Sequence, residues 1–310
     1  MRALVVDHGA ETHLSLVEVA DPVPAPGEAL VRIEAVSLNF GEVKGAADPK
    51  TPDGAVIGWD AAGVVVRAAA DGSGPAEGAR VVTLGEAGWA ELRAVPAHLL
   101  GVVPVDADLG DVSTVPVAGL SALHVLRRLG PLLGRRVMIT GASGGVGRYA
   151  VQLAARAGAE VVAISRNPAE ADSLRSLGAH EVRTDPAAVD RPVHGVLDNV
   201  GGRQLVDAFA ALRPHGVLVS VGRSSEADTV LSPEALRGDQ GRHERSIRTF
   251  YLFGDPVADF STDLAWLAAE VAAGRLDPGV RWRGPWTRYG EAVQALLGRR
   301  LHGKAVLDVG

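Results

Sequence analysis

Apolar positions change their period along this chain. Up to about residue 115 they fall in short, β-branched and often alternating runs: ALVVD, SLVEVA, ALVRIEAVSL, AGVVVRAA, ARVVTL and WAELRAV. Pro22, Pro24, Pro26-Gly27, Asp53-Gly54 and the DGSGP segment at 71–75 punctuate them, the last as a surface turn. Many strands at short spacing predict a compact, barrel-like β domain. From Asp111 to Arg128 the period becomes helical, with Val117, Leu120, Leu123, His124 and Leu126 on one face. Strands and helices then alternate. Strands are predicted at Val137–Thr140, Val161–Ile164, 196–200, 216–222 and 246–252, and helices at Arg148–Ala157, Pro168–Leu177 and Gly202–Leu212. That alternation predicts a parallel, doubly wound sheet. A helix at Asp259–Ala273, another at Tyr289–Leu297 and a final strand KAVLDV complete the chain, the last suited to pairing back with the first domain. The expected organisation is α/β: a β-rich domain over 1–115, a doubly wound domain over 116–255, and a return to the first over 256–310.

Within this pattern, Arg135–Arg166 reads as strand, glycine-rich turn, helix and second strand. Gly141–Gly147 carries four glycines in seven positions, in the form Ala142-Ser143-Gly144-Gly145-Val146-Gly147, with Ala142 in the usual place of the first glycine. A βαβ unit with glycines at its first turn is how a protein receives a dinucleotide: the turn is tight, backbone comes close to the pyrophosphate, and N–H groups at the helix N-terminus face its charge. A turn that bound nothing would gain nothing from so many flexible residues. The second strand ends Ile164-Ser165-Arg166-Asn167, where an NAD site normally places an acid for the ribose diol. A hydroxyl and a guanidinium suit a 2′-phosphate, which predicts NADPH as the cofactor.

Composition narrows the rest. The 310 residues are 47% hydrophobic and 22% charged, enough for two domains with sizeable cores. A net charge of −6 without a dense Lys/Arg run argues against a nucleic-acid partner. No uninterrupted apolar stretch of about 18 residues occurs, so no membrane span is expected. The opening MRALVVDHG reads as a strand and lacks the basic-then-apolar form of a signal peptide, so the cytoplasm is the expected compartment. The chain has no cysteine, which removes disulfides, thiolate catalysis and Cys-ligated zinc together. Its nine histidines are scattered without ligand spacing. The turn Thr140–Gly147 also fits the TGxxxGxG form of short-chain dehydrogenases. Those chains begin with that turn and need a Tyr-x-x-x-Lys pair, and Tyr149, Tyr251 and Tyr289 have Leu153, Asp255 and Val293 four residues on.

Taken in order, SLNFGEVKG at 37–45, VIGWDAAGVVV at 56–66, VAGLSALHVL at 117–126, the 139–162 glycine-turn core, SLGA at 176–179, VLDNVGG at 196–202 and HGKAVLDV at 302–309 make a specific set. The chain resembles a zinc-free medium-chain dehydrogenase/reductase of the quinone oxidoreductase type, the branch that includes polyketide synthase enoyl-reductase domains. The resemblance implies a GroES-like domain followed by a Rossmann domain and a return. Zinc-dependent relatives carry His-Glu where this chain has Trp59-Asp60. By resemblance, Asn39, Ser121, Asn199, Val200, Val221, Gly222, Arg223, the backbone of Phe250, Tyr251 and Leu252, and Lys304 are expected at the cofactor, beside the turn residues, Ser165 and Arg166. A Lys frequent in relatives four residues past the Arg166 position is Glu170 here. Relatives often have Asp and Tyr where this chain has Glu42 and Lys44. Lys44, with Asn39, is therefore the expected catalytic group, its ammonium donating to or holding an enolate. The implied activity is hydride transfer to an activated C=C (enone or enoyl thioester) or a quinone, with a small-molecule substrate and a homodimer joined through a strand like Ser246–Leu252. A non-reductive isomerase or cyclase on the same scaffold, and a non-catalytic NADPH-binding protein, are the alternatives left open.

Overall fold

The computed structural model describes residues 1–238, 241–254 and 259–310. The chain divides into two compact units, one formed by 1–120 with 257–310 and the other by 121–256.

The first unit opens with strands β1 (Arg2–Val6), β2 (Leu14–Glu18) and β3 (Glu28–Leu38). Helix α1 (Phe40–Ala46) follows, then β4 (Asp60–Arg67), β5 (Arg80–Leu84), β6 (Leu92–Pro96) and β7 (Leu100–Val102). The helix expected from Asp111 to Arg128 is instead three pieces. A short α2 (Leu109–Val112) is capped by the Asp108 carboxylate, which accepts from Asp111 N. A π-helical turn spans Val115–Gly119 with Pro116 in it, and α3 (Leu120–Arg128) begins after that. Pro116 has no N–H to give a continuous helix, and it forces this break.

In the second unit every strand of a six-stranded sheet is parallel: β8 (Arg136–Thr140), β9 (Glu160–Ile164), β10 (Glu181–Arg183), β11 (Val193–Asp198), β12 (Leu212–Ser220) and β13 (Ser246–Thr249). Their spatial order is β10-β9-β8-β11-β12-β13. The order reverses between β8 and β11, the point of a doubly wound sheet where ligands bind beyond the strand C-termini. Helices α4 (Gly145–Arg156), α5 (Ala171–Ser176) and α6 (Gly202–Ala210) make the crossovers. Met138, Val162, Ile164, Val196 and Leu218 from the strands and Leu205 and Phe209 from α6 pack into one buried cluster, each large side chain contributing roughly 1.5–3 kcal/mol by leaving water. The strand expected over 246–252 stops at Thr249, and a 3₁₀ turn occupies Leu252–Gly254. The helix expected at Pro168–Leu177 starts as a 3₁₀ turn at Pro168–Glu170, capped by Asn167.

The chain then returns to the first unit with α7 (Ser261–Ala272), β14 (Val280–Pro285), α8 (Tyr289–Leu297) and β15 (Lys304–Asp308). β14 and β15 join a sheet of order β14-β15-β3-β4-β5-β7, with β6 also on β3. β3 is long because it serves three partners: antiparallel β15 at its C-terminal half, β6 at its N-terminal half and β4 along most of its length. Val31, Ile33, Val36, Leu38, Trp89, Trp286 and Leu307 lie in its buried core.

Candidate functional site

In the second unit, β8 runs straight into the glycine turn. Gly141 takes φ +59°, a conformation that favours glycine. Gly144 N donates to Gly141 O at 3.0 Å and Arg148 N to Gly144 O at 2.9 Å, closing the turn onto α4. The first N–H groups of a helix have no intrahelical partner, and Gly144, the N-cap of α4, supplies no side chain to meet them. Gly147 sits where a Cβ would lie 2.3 Å from Gly141 O and 2.6 Å from Ala142 Cα, so only glycine lets the helix come this close. Ala142 is buried. Small residues, a tight turn and unmet N–H groups fit a pyrophosphate.

The neighbouring strand ends complete this rim. β8 and β11 run parallel with Ile139 opposite Leu197, so Thr140 and Asp198 lie side by side. Thr140 Oγ1 donates to Asp198 Oδ1 at 2.6 Å, and Asn199 Nδ2 donates to Thr140 O at 2.8 Å. Burial raises the Asp198 pKa, opposed by the Thr140 hydroxyl and the N–H groups of Gly201 and Val200. Val221 N and Gly222 N donate to Asp198 O, and Ser225 N to Val200 O, tying the loop after β12 to the loop after β11. A Cβ on Gly222 would lie 2.7 Å from Asn199 O, so this close approach also requires glycine. Phe250 N donates to Ser220 O at 2.9 Å. Asn199, Val200, Val221 and Gly222 are thus brought together, while Arg223 and Tyr251 are exposed, Leu252 is buried, and Ser121 is buried in the first turn of α3.

At the end of β9, Ser165 Oγ lies 3.3 Å from Ser143 Oγ, joining this strand to the glycine turn. Arg166 is exposed. Glu170 faces Arg148, a buried residue of α4, at 3.6 Å, and Arg148 Nη1 donates to Ser173 Oγ at 3.1 Å. The acid standing where relatives often carry a lysine is therefore held by a cation of this chain.

In the first unit, Asn39 and Lys304, 265 residues apart, meet because of strand register. Ala305 pairs with Leu38 in the antiparallel β3–β15 ladder, so the next step sets Lys304 opposite Asn39. Ser37 pairs with Asp60 across β3–β4. Lys304 Nζ donates to Asn39 Oδ1 at 2.7 Å and to Asp60 Oδ2 at 3.0 Å, and Asn39 Nδ2 donates to Asp60 Oδ2 at 2.8 Å. Lys304 and Asp60 are 2% and 0% exposed, so their charges have each other and these hydrogen bonds in place of water.

Glu42 and Asp60 are residues that the sequence reading named without giving them a role. Glu42 is buried; its carboxylate accepts from Asn39 N at 2.7 Å and from Trp59 N. The Asn-x-x-Glu spacing at the start of a helix is the signal that could have found it, since an N-cap followed three residues on by Glu marks a capping box. Lys44 is exposed on α1. Burial first, and the nearby Asp60 charge second, push the Glu42 carboxyl up from 4.5 to about 8; Lys304 and the two N–H groups oppose the shift. The folded chain therefore keeps a proton that the unfolded chain releases. This contribution to stability is complete below pH 4.5 and is lost as pH rises through about 8. Unfolding free energy should fall between pH 5 and 8, by at most about 1.4 kcal/mol per pH unit from this group. Glu42→Gln should flatten that slope in urea titrations at several pH values, and parallel profiles for the two proteins would reject the assignment.

Comparison with known proteins agrees with this architecture. Residues 25–106 match the alcohol dehydrogenase GroES-like domain, and residues 145–269 match the zinc-binding dehydrogenase family model. Mouse (Mus musculus) prostaglandin reductase-3 is 30% identical over 315 residues, which cover 93% of this chain and 83% of that one. The spectinabilin polyketide synthase system protein NorB of Streptomyces orinoci is 32% identical over 271 residues, 84% of this chain. The chain spans 12% or less of the length of the first polyketide synthases it matches. Among solved structures, a 2-haloacrylate reductase superposes with a TM-score of 0.85 at 25% identity, covering 100% of this chain and 99% of that one. The chain belongs to the medium-chain dehydrogenase/reductase family. Within that family of oxidoreductases it is of the quinone oxidoreductase and enoyl reductase type. Among the described residues no helix is long and apolar enough to cross a membrane, and no group of three or more His, Asp or Glu is arranged to hold a metal.

Proposed function

We propose that the chain is a zinc-independent, NADPH-dependent reductase that transfers hydride to an activated C=C, in an enone or enoyl thioester, or to a quinone. The observation that carries this reading is the glycine turn with its uncapped helix N-terminus, joined through Ser143 and Ser165 to the strand end that bears Arg166. The named activities of the prostaglandin and haloacrylate reductase relatives support the reaction class. Zinc independence is supported by a chain without thiols and by Asp60, whose carboxylate is engaged with Lys304, Asn39 and Ser37.

When bound, the cofactor supplies the hydride at its nicotinamide. The chain's part is to hold it and to handle charge and protons. The N–H groups at Gly145 and Val146 meet the pyrophosphate, in the space left by Ala142 and Gly144. The Ser165 hydroxyl and the Arg166 guanidinium grip the 2′-phosphate, which an Arg can hold with two hydrogen bonds. In the second unit Ser121, Asn199, Val200, Val221, Gly222, Arg223 and the backbone of Phe250–Leu252 make up the rest of the cofactor rim; in the first unit Asn39 and Lys304, hydrogen-bonded to each other, are the cofactor contacts that the family resemblance implies. The Lys44 ammonium holds the enolate oxygen or donates the proton that completes reduction. We place the protein in the cytoplasm as a homodimer through β13, an edge strand paired only with β12 among the described residues, on which Ile247 is exposed.

The test is loss of reduced-nicotinamide absorbance against a panel of quinones, enones and enoyl thioesters, with and without a zinc chelator. Turnover with one NADPH consumed per product is expected, unchanged by the chelator. Tight NADPH binding without oxidation by any acceptor overturns the reductase reading. In the same assay Arg166→Ala should raise KM for NADPH about tenfold or more, the worth of a charge-assisted hydrogen bond, with little change for NADH. Equal effects on the two would remove Arg166 from the 2′-phosphate.

A further inference from the structure

Asp60 has no chemical step in the reading above, yet four donors from three separate stretches of chain converge on its buried carboxylate. Ser37 Oγ, Asn39 Nδ2 and Lys304 Nζ donate to Oδ2 at 2.8, 2.8 and 3.0 Å. Val117 N donates to Oδ1 at 2.8 Å, from the π-helical turn just ahead of Ser121. The effect on Asn39 is specific. A carboxamide is nearly the same shape when flipped, so packing alone does not choose which end is oxygen. Here a carboxylate, which only accepts, faces one end, and the Lys304 ammonium, which only donates, faces the other at 2.7 Å. One orientation satisfies both. The capping box adds the Glu42 N–H on the oxygen side, and the arrangement leaves a second amide N–H on a half-buried residue for a ligand.

We propose that Asp60 is a positioning residue: with Lys304 it fixes the orientation of the Asn39 carboxamide, and through it the amide N–H that Asn39 offers to the nicotinamide half of the cofactor. This rests on the dinucleotide reading given above. Asp60 acts through Asn39 and touches no ligand itself.

The experiment measures dissociation constants for NADPH, NADH and 2′,5′-ADP, which lacks the nicotinamide. The proteins are wild type, Asn39→Ala, Asp60→Asn, the double variant, and Tyr289→Phe. The last loses a hydrogen bond to Leu14 O elsewhere in the same unit and serves as a purely structural control. Asn39→Ala and Asp60→Asn should each weaken the preferred dinucleotide about tenfold, the worth of one hydrogen bond to a ligand. The double variant should be no weaker than either single one, and 2′,5′-ADP should bind all five proteins alike. Tyr289→Phe should lower stability without moving any affinity. Should Asp60→Asn fail to fold, Ser37→Ala removes one donor from the carboxylate and should give a smaller loss confined to the whole dinucleotide. Unchanged affinity in Asp60→Asn, additive losses in the double variant, or an equal loss of 2′,5′-ADP each overturns the proposal while leaving the cofactor reading standing. If wild type binds neither dinucleotide, the cofactor reading fails and this one falls with it.

Discussion

Lys304→Met should destabilise the β-rich unit by about 3 kcal/mol, the lower end of the cost of removing one partner from a buried ion pair. Lys304 and Asp60 are both buried, and the ammonium is 3.0 Å from the carboxylate. Methionine keeps most of the side-chain length and its packing, so the deficit isolates the charge. Asp60 then stays buried with Ser37, Asn39 and Val117 N as its remaining donors, which keeps the loss from being larger. For a unit of this size the melting temperature should fall by roughly 6–12 °C. The readout is selective, because Trp59, Trp89, Trp266, Trp282 and Trp286 all belong to the unit formed by 1–120 and 257–310. Tryptophan fluorescence in urea therefore follows this unit alone. Asp60→Asn combined with Lys304→Met should cost less than the sum of the two single changes, with a coupling above about 1 kcal/mol. A Lys304→Met protein within about 0.5 kcal/mol of wild type would mean that water reaches Asp60 and the buried-pair assignment is wrong.

That network also marks where sequence reading runs out. The glycine turn was legible because its residues are contiguous: strand, turn, helix and strand follow one another within 135–166, and local backbone geometry demands glycine at 141 and 147. The parallel sheet was legible because strand and helix periods alternate: β8 and β9 fall within a residue of the predicted runs, while β11 and β12 overlap theirs but begin three and four residues earlier, at Val193 and Leu212. Asn39 and Lys304 came from resemblance, and their hydrogen bond is a consequence of β15 pairing with β3, which no local pattern encodes. Asp60 was noticed only as a residue standing in place of a zinc ligand, because its partners at 37, 39, 117 and 304 converge only in three dimensions. The break of the 111–128 helix was visible in principle at Pro116, but an apolar face at helical spacing outweighed it. Glu170 illustrates the converse. It stands in the sequence where relatives often carry a lysine, and the fold turns its charge toward Arg148, at 3.6 Å.

Gly147→Ala should abolish dinucleotide binding, lowering affinity by about a hundredfold or more, the scale on which displacement of a positioning element by about 1 Å is felt. The added Cβ would stand 2.3 Å from Gly141 O and 2.6 Å from Ala142 Cα. Both obstacles are backbone, so no side-chain rotation relieves them. Either α4 retreats from the turn, carrying its unmet N–H groups away from the phosphate position, or Gly141 and Ala142 rebuild the turn and disturb the Ala142 N bond to Ile164 O at 3.0 Å. Folding suffers as well, by roughly 1–3 kcal/mol as for other overpacked sites. Gly144→Ala separates the two effects. Gly144 has φ −79° and ψ 173°, open to any residue, and its nearest neighbour for a Cβ is Gly141 O at 3.4 Å, an ordinary contact. Its stability should match wild type. Any loss of affinity there comes from a methyl group standing in the space of the ligand, so it measures how close the pyrophosphate comes to this backbone. Binding by Gly147→Ala at wild-type strength would show that the helix N-terminus does not hold the dinucleotide. Retained binding by Gly144→Ala with loss in Gly147→Ala would place the phosphate against the later N–H groups of α4, away from its N-cap.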